Sequence, residues 1–109
     1  MKLYDGGRAP NPRRVSIYLA EKGIEVKRET IDMGALEHRN DIVSSLNPLK
    51  RLPVLEFDDG TVLTETIAIC RYFEELNPDP PLFGRSALEK AQIEMWQRRI
   101  EFGLLLHVA

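Results

Sequence analysis

The stretch Asn47–Phe73, NPLKRLPVLEFDDGTVLTETIAICRYF, decides the fold. Pro53-Val54-Leu55-Glu56-Phe57 alternates as a half-buried strand does, and Asp58-Asp59-Gly60-Thr61 supplies the φ > 0 position that a tight hairpin turn requires. Val62-Leu63 reads as the returning strand. Thr64 follows as an N-cap, and Ile69, Tyr72, Phe73 and Leu76 fall at the spacing of a helix with one face on a core. The unit is strand, turn, strand, helix.

Two of its features point beyond architecture. Pro53 opens the strand without an N–H, which leaves the backbone of the preceding residue available to an extended peptide ligand. Glu65-Thr66 sits at the first turn of the helix, where unsatisfied N–H groups and the dipole favour a bound carboxylate. The plainer reading stays open beside it: Pro53 starts a strand and Glu65 complements the dipole.

Upstream, Leu3-Tyr4 begins a first strand, and the loop Asp5-Gly6-Gly7-Arg8-Ala9-Pro10 leads to a helix with Asn11 as N-cap and Pro12 at its first position. Val15, Tyr18, Leu19 and Lys22 line one side, and Gly23 is the stop signal. Ile24 to Ile31 reads as a second strand, parallel to the first through a right-handed crossover. Met33 to Leu46 is the least regular stretch, with a helical turn over Ile42 to Leu46. The order β-α-β-α-β-β-α is that of an α/β, thioredoxin-like domain with a mixed four-stranded sheet.

Downstream, Asn77-Pro78-Asp79-Pro80-Pro81-Leu82-Phe83-Gly84 breaks any helix and reads as a semi-rigid boundary. The organisation expected is a domain over residues 1–76, a linker over 77–85 and a long helix over 86–109. Ser86 and Glu89 form a capping-box pattern at its start. One apolar line runs through Leu88, Ala91, Met95 and Phe102; a second runs through Ile93, Trp96, Ile100 and Leu104. Two apolar faces need two partners, and only the first line has the sheet domain as a candidate. The helix is therefore expected to be the first of an all-α domain whose other helices lie in a longer protein or in a partner.

Composition agrees with a globular protein: 109 residues, 43% hydrophobic and 29% charged. The longest apolar run, Phe102 to Leu106, is too short to cross a bilayer, and Asp5 falls where a signal peptide needs apolar residues. No membrane partner is expected, and cytoplasm is the default compartment. Cys70 is the one cysteine, which excludes an internal disulfide and any Cys-x-x-Cys redox pair. Mid-helix, it reads as a small buried thiol. A net charge of -2 and the lack of a basic run with aromatics give no reason to expect nucleic acid.

The run Asn47-Pro48, Leu52-Pro53-Val54-Leu55, Asp59-Gly60 and Leu63-Thr64-Glu65-Thr66, in this order and spacing, resembles the N-terminal thioredoxin-like domain of the cytosolic glutathione transferases. The resemblance extends over the whole chain into the start of that family's helical domain. It implies glutathione as co-substrate, no metal, a small electrophile as second substrate, a role in detoxification and a homodimer. Glutathione has two carboxylates, an ammonium and a thiol. By resemblance Glu65 and Thr66 hold its γ-glutamyl end, Leu52 pairs backbone to backbone with its cysteinyl residue beside a cis Pro53, and Arg51 and His38 meet its glycyl carboxylate through charge-assisted hydrogen bonds. His38 reads equally well as a solvated loop histidine.

The thiol is the chemical crux. A cysteine near pKa 8.5 is only roughly three per cent thiolate at neutral pH, and lowering it by about two units is worth about 2.7 kcal/mol. The start of the first helix, Asn11 to Arg13, offers positive potential, and Arg13 or Arg14 adds charge. Family members place a Ser, Tyr or Cys against the sulfur. Aligning Arg14-Val15 with the family's Arg-Val puts that position at Ala9 or Pro10, neither of which donates from a side chain. Tyr4 reads as core, and Asn11, as the remaining donor, competes with its own capping role. The loop resembles a bacterial and fungal subgroup in which backbone groups and the helical domain take over this task. The alternative of another class is a non-catalytic binding or scaffold module that keeps the fold.

Overall fold

Strand β1 (Lys2–Asp5) is central because it has a neighbour on each edge. In the computed structural model, which describes residues 1–6, 9–31, 45–47 and 51–105, it pairs parallel with β2 (Arg28–Thr30) and antiparallel with β3 (Val54–Glu56). β3 in turn pairs antiparallel with β4 (Val62–Thr64), giving one four-stranded sheet of order β2-β1-β3-β4. The parallel junction demands a crossover, which helix α1 (Pro10–Lys22) supplies. This is the mixed sheet expected. The expected helical turn over Ile42 to Leu46 lies outside the described residues, except for Ser45 and Leu46, which are helical.

Several boundaries differ from the sequence reading, each for a local reason. α1 begins at Pro10, and its cap is Ala9 instead of the expected Asn11; the Ala9 side chain makes no capping bond. Pro10 and Pro12 both lie in the first turn, where a missing N–H leaves nothing unsatisfied, and Arg13 N–H makes the first helical bond to the Ala9 carbonyl at 3.0 Å. At the other end Gly23, at φ 70°, closes the helix: its N–H bonds Ala20 O at 3.2 Å and Ile24 N–H bonds Leu19 O at 2.9 Å. β2 is shorter than Ile24 to Ile31 because β1 offers it partners only from Leu3 to Asp5.

The hairpin forms as expected. Gly60 N–H bonds Phe57 O at 3.0 Å, Phe57 N–H bonds Thr61 O at 2.8 Å, and Gly60 takes φ 90°. This is a three-residue loop that needs a left-handed position before the return strand. Helix α2 (Thr66–Leu76) starts later than Thr64, which stays in β4. Its buried stripe is Thr66, Ile69, Cys70 and Phe73, whereas Leu76, expected on the core face, is exposed.

Alternation divides the core. Leu3 and Leu55 are in register and fully buried, as are Val15 and Leu19 of α1. On α1, Ser16 Oγ donates to Asp5 Oδ2 at 3.5 Å and accepts from Arg28 Nη1 at 2.9 Å, which fixes the helix to the face shared by Leu3 and Asp5. On the other face Tyr4, Ile31, Leu52 and Val54 form a cluster, with Leu46 and Val62 packed against it.

The chain divides into two compact units, Met1–Phe73 and Glu74–Ala109. In the second, Glu74 Oε2 accepts from Leu82 N–H at 3.0 Å and Phe83 N–H at 3.3 Å. Helix α3 (Ala87–Ile100) continues into a π-helical turn, Glu101–Leu105. Ser86 caps α3, its Oγ accepting from Glu89 N–H at 3.1 Å, while Glu89 Oε1 accepts from Arg85 N–H at 2.8 Å. Neither apolar line of α3 is buried. Among the described residues no helix is long and apolar enough to cross a membrane.

Candidate functional site

The register decides which loops meet. Tyr4 pairs with Val54 and Val54 with Thr64, so the C-terminal end of β1, the start of β3 and the end of β4 share one edge of the sheet. From that edge issue the loop into α1, the Leu52–Pro53 corner and the Glu65–Thr66 start of α2. A side-chain bond ties two of them: Thr66 Oγ1 donates to the Asn11 carbonyl at 3.4 Å. The first turns of two helices, each at the positive end of its dipole, are thereby held side by side.

Glu65 precedes α2 as its cap, with Ile69 N–H bonding its carbonyl at 3.1 Å. It takes φ 75°, the one positive φ among the described non-glycine residues. A non-glycine residue there costs on the order of 1–3 kcal/mol, and such strain gathers where a ligand is held. Its carboxylate is exposed, while the neighbouring Thr66 is buried.

Leu52 and Pro53 are buried and joined by a cis peptide bond. Arg51 is exposed, and its carbonyl accepts from Asn47 Nδ2 at 2.9 Å. Leu52, Pro53, Glu65, Thr66 and the Ala9–Asn11 turn therefore lie at the same edge, with Arg51 adjoining. His38 lies outside the described residues.

The α1 start clarifies what is available to a thiolate. Asn11 is not the cap; its Oδ1 accepts from Arg14 Nη1 at 3.0 Å. Pro10 and Pro12 carry no N–H, and Ala9 N–H is directed at the Gly6 carbonyl at 3.5 Å. Of residues 10–12, only Asn11 thus carries a backbone N–H. The sequence reading weighed the Asn11 side chain beside the potential of the whole Asn11 to Arg13 helix start; the Pro-Asn-Pro spacing narrows the backbone donors of residues 10–12 to Asn11. Tyr4 is no candidate: its phenol donates to Glu56 Oε1 at 3.2 Å, and burial, reinforced by the Glu56 charge, pushes its pKa above the ordinary 10. Cys70 is buried.

A sheet of this order, with the helical crossover and the cis-proline corner, defines a thioredoxin-like domain. Residues 9–76 match the family model described as "Glutathione S-transferase, N-terminal domain". The chain belongs to the glutathione S-transferase family. It is 39% identical over 107 residues to "Glutathione S-transferase 2" of Saccharomyces cerevisiae, covering 96% of this chain and 46% of that protein. It is 36% identical over 94 residues to "Maleylacetoacetate isomerase" of Pseudomonas aeruginosa, covering 84% and 44%. A crystal structure of a glutathione S-transferase domain-containing protein of Marinobacter aquaeolei superposes with a TM-score of 0.88 at 42% identity, covering 96% of this chain and 52% of that one. The chain thus spans about half the length of the relatives it matches.

Proposed function

We propose that the chain is the glutathione-binding part of a glutathione-dependent transferase, or of an isomerase like its Pseudomonas relative, with residues 1–76 as the binding domain, 77–85 as linker and 86–109 as the first helix of an all-α domain. The observation that carries this reading is the meeting of Leu52–Pro53, Glu65–Thr66 and the α1 start at one sheet edge. An extended tripeptide lies along Leu52 through its cysteinyl backbone. Its γ-glutamyl end meets Glu65 and the α2 start, and its glycyl carboxylate is neutralised by Arg51 and His38. The cysteinyl sulfur then faces α1, where the helix field and the Asn11 N–H favour thiolate. The thiolate attacks a small electrophile and forms a carbon–sulfur bond: in a substitution the leaving group departs with the electron pair of its bond to that carbon, and in an addition the electrophile's π bond opens and the neighbouring atom takes up a proton from water. A homodimer in the cytoplasm, working in detoxification, completes the proposal.

Calorimetric titration of the protein with millimolar glutathione tests it. Wild type gives saturable heat, and Glu65→Ala weakens binding by about tenfold to a hundredfold, the worth of a charge-assisted hydrogen bond. No heat with folded wild type, or unchanged affinity in the variant, would sink the reading.

One observation favours a second reading, a non-catalytic binding or scaffold module: Ala9 and Pro10 present no side-chain donor at the α1 start. Conjugation of an aromatic halide by the full-length protein separates the two. A scaffold binds glutathione without turning the halide over.

A further inference from the structure

We infer that Asn47 is a positioning residue for the backbone donor of Leu52, an inference that rests on the glutathione-site reading above. Asn47 is 4% exposed, and its Nδ2 donates to the Arg51 carbonyl at 2.9 Å. A buried amide that grips a backbone carbonyl four residues on fixes the orientation of a whole peptide plane. The Arg51–Leu52 bond is not among the cis bonds, which are Leu52–Pro53 and Asp79–Pro80. In a planar trans peptide the C=O and the N–H point in opposite directions. Drawing the Arg51 carbonyl onto the buried Asn47 amide therefore turns the Leu52 N–H away from Asn47.

Pro53 has no N–H, so the Leu52 amide is the last backbone donor ahead of β3. It lies at the edge where Glu65, Thr66 and α1 meet, and the next pairs in the sheet are already made through Val54. A ligand that adds its backbone alongside this corner relies on the direction of that one N–H, because hydrogen bonds weaken steeply as they bend. Asn47 touches no ligand in this account; it acts through the peptide plane it holds.

The test uses isotope-labelled protein and reduced glutathione. Asn47→Asp keeps the size and replaces the donor by an acceptor that repels the Arg51 carbonyl. In wild type, glutathione shifts the amide resonances of both Leu52 and Thr66. In Asn47→Asp the affinity falls by about tenfold, the Leu52 response is lost at saturating ligand, and the Thr66 response remains. If the aspartate variant does not fold, Asn47→Ala, which removes the donor without adding repulsion, gives the same split with a smaller loss of affinity. Wild-type affinity with an intact Leu52 response in the folded variant overturns the inference and leaves the site reading standing. Loss of the Leu52 and Thr66 responses together also overturns it, since that marks general loosening. Absence of any glutathione response in wild type brings down the site reading and this inference with it.

Discussion

Leu55 and Leu88 are the same side chain in opposite conditions: Leu55 is 0% exposed in β3, and Leu88 is 67% exposed on α3. The contrast holds for their surroundings. In the Met1–Phe73 unit, sheet and helices bury Leu3, Val15, Leu19, Val54 and Ile69 completely. In the Glu74–Ala109 unit, α3 has no buried residue. It is held by local devices instead: the Ser86 cap, the Glu94–Arg98 pair, and Arg98 and Arg99 over the rings of Phe102 and Trp96. Each of those is worth a few tenths of a kcal/mol to about 1 kcal/mol, whereas a buried leucine is worth about 1.5–3 kcal/mol. Within these 109 residues, therefore, the sheet unit is stabilised by tertiary burial and α3 by local helix chemistry.

The sharpest way to break that contrast is a matched pair of truncations. Leu55→Ala should cost about 2–5 kcal/mol of stability in the sheet unit, and Leu88→Ala should stay within about 0.5 kcal/mol. Urea unfolding followed by region-specific amide exchange reads both. Equal losses would mean that α3 is buried in solution. Next in size is Gly84→Ala. Gly84 has φ 92°, and a Cβ there would sit 2.9 Å from the Glu89 carbonyl carbon and the Lys90 nitrogen, so both backbone and contact resist it. A loss of about 1–3 kcal/mol confined to the second unit is expected. Smaller again is Ser86→Ala, at about 1 kcal/mol. Its signature is faster exchange of the Glu89 amide with no change at Val54.

The same division explains what could be read from the chain alone. The hairpin and the helix after it were legible because their signals are local: alternation over 53–57, a glycine at the left-handed position, and apolar residues at helical spacing. The Gly23 stop and the Ser86 cap were legible for the same reason. The start of α1 was not, because Asn11 is the better cap by type while two prolines fit the first turn better together. Leu76 was misplaced because periodicity counts apolar residues, and the buried stripe includes Thr66 instead. Of the candidate site, Leu52–Pro53 and Glu65–Thr66 are marked in the sequence by residue type and position. Their meeting depends on the pairing of Val54 with Thr64, and the reach of Asn47 to the Arg51 carbonyl depends on the path of the chain between them. Those are long-range or conformational facts with no sequence period to announce them.

The smallest effects divide the units by pH, and in opposite directions. Tyr4 in the sheet unit has its pKa raised above 10, first by burial and then by the charge and hydrogen bond of Glu56. The folded state thus favours the neutral phenol; this contribution is complete below the unfolded value and is lost as pH rises through the folded one. Glu89 at the α3 start has its pKa lowered below 4.5, chiefly by the hydrogen bond from the Arg85 N–H. Its contribution is complete above the unfolded value and is lost as pH falls through the folded one. Amide exchange should therefore show the sheet around Val54 loosening at alkaline pH and the α3 start loosening at acid pH. Tyr4→Phe removes the titrating phenol and should flatten the alkaline limb alone, and Glu89→Gln, which keeps an acceptor without the charge, should flatten the acid limb alone. If each substitution altered both limbs, the two regions would be coupled parts of one cooperative structure, and the contrast between Leu55 and Leu88 would be one of exposure and not of stability.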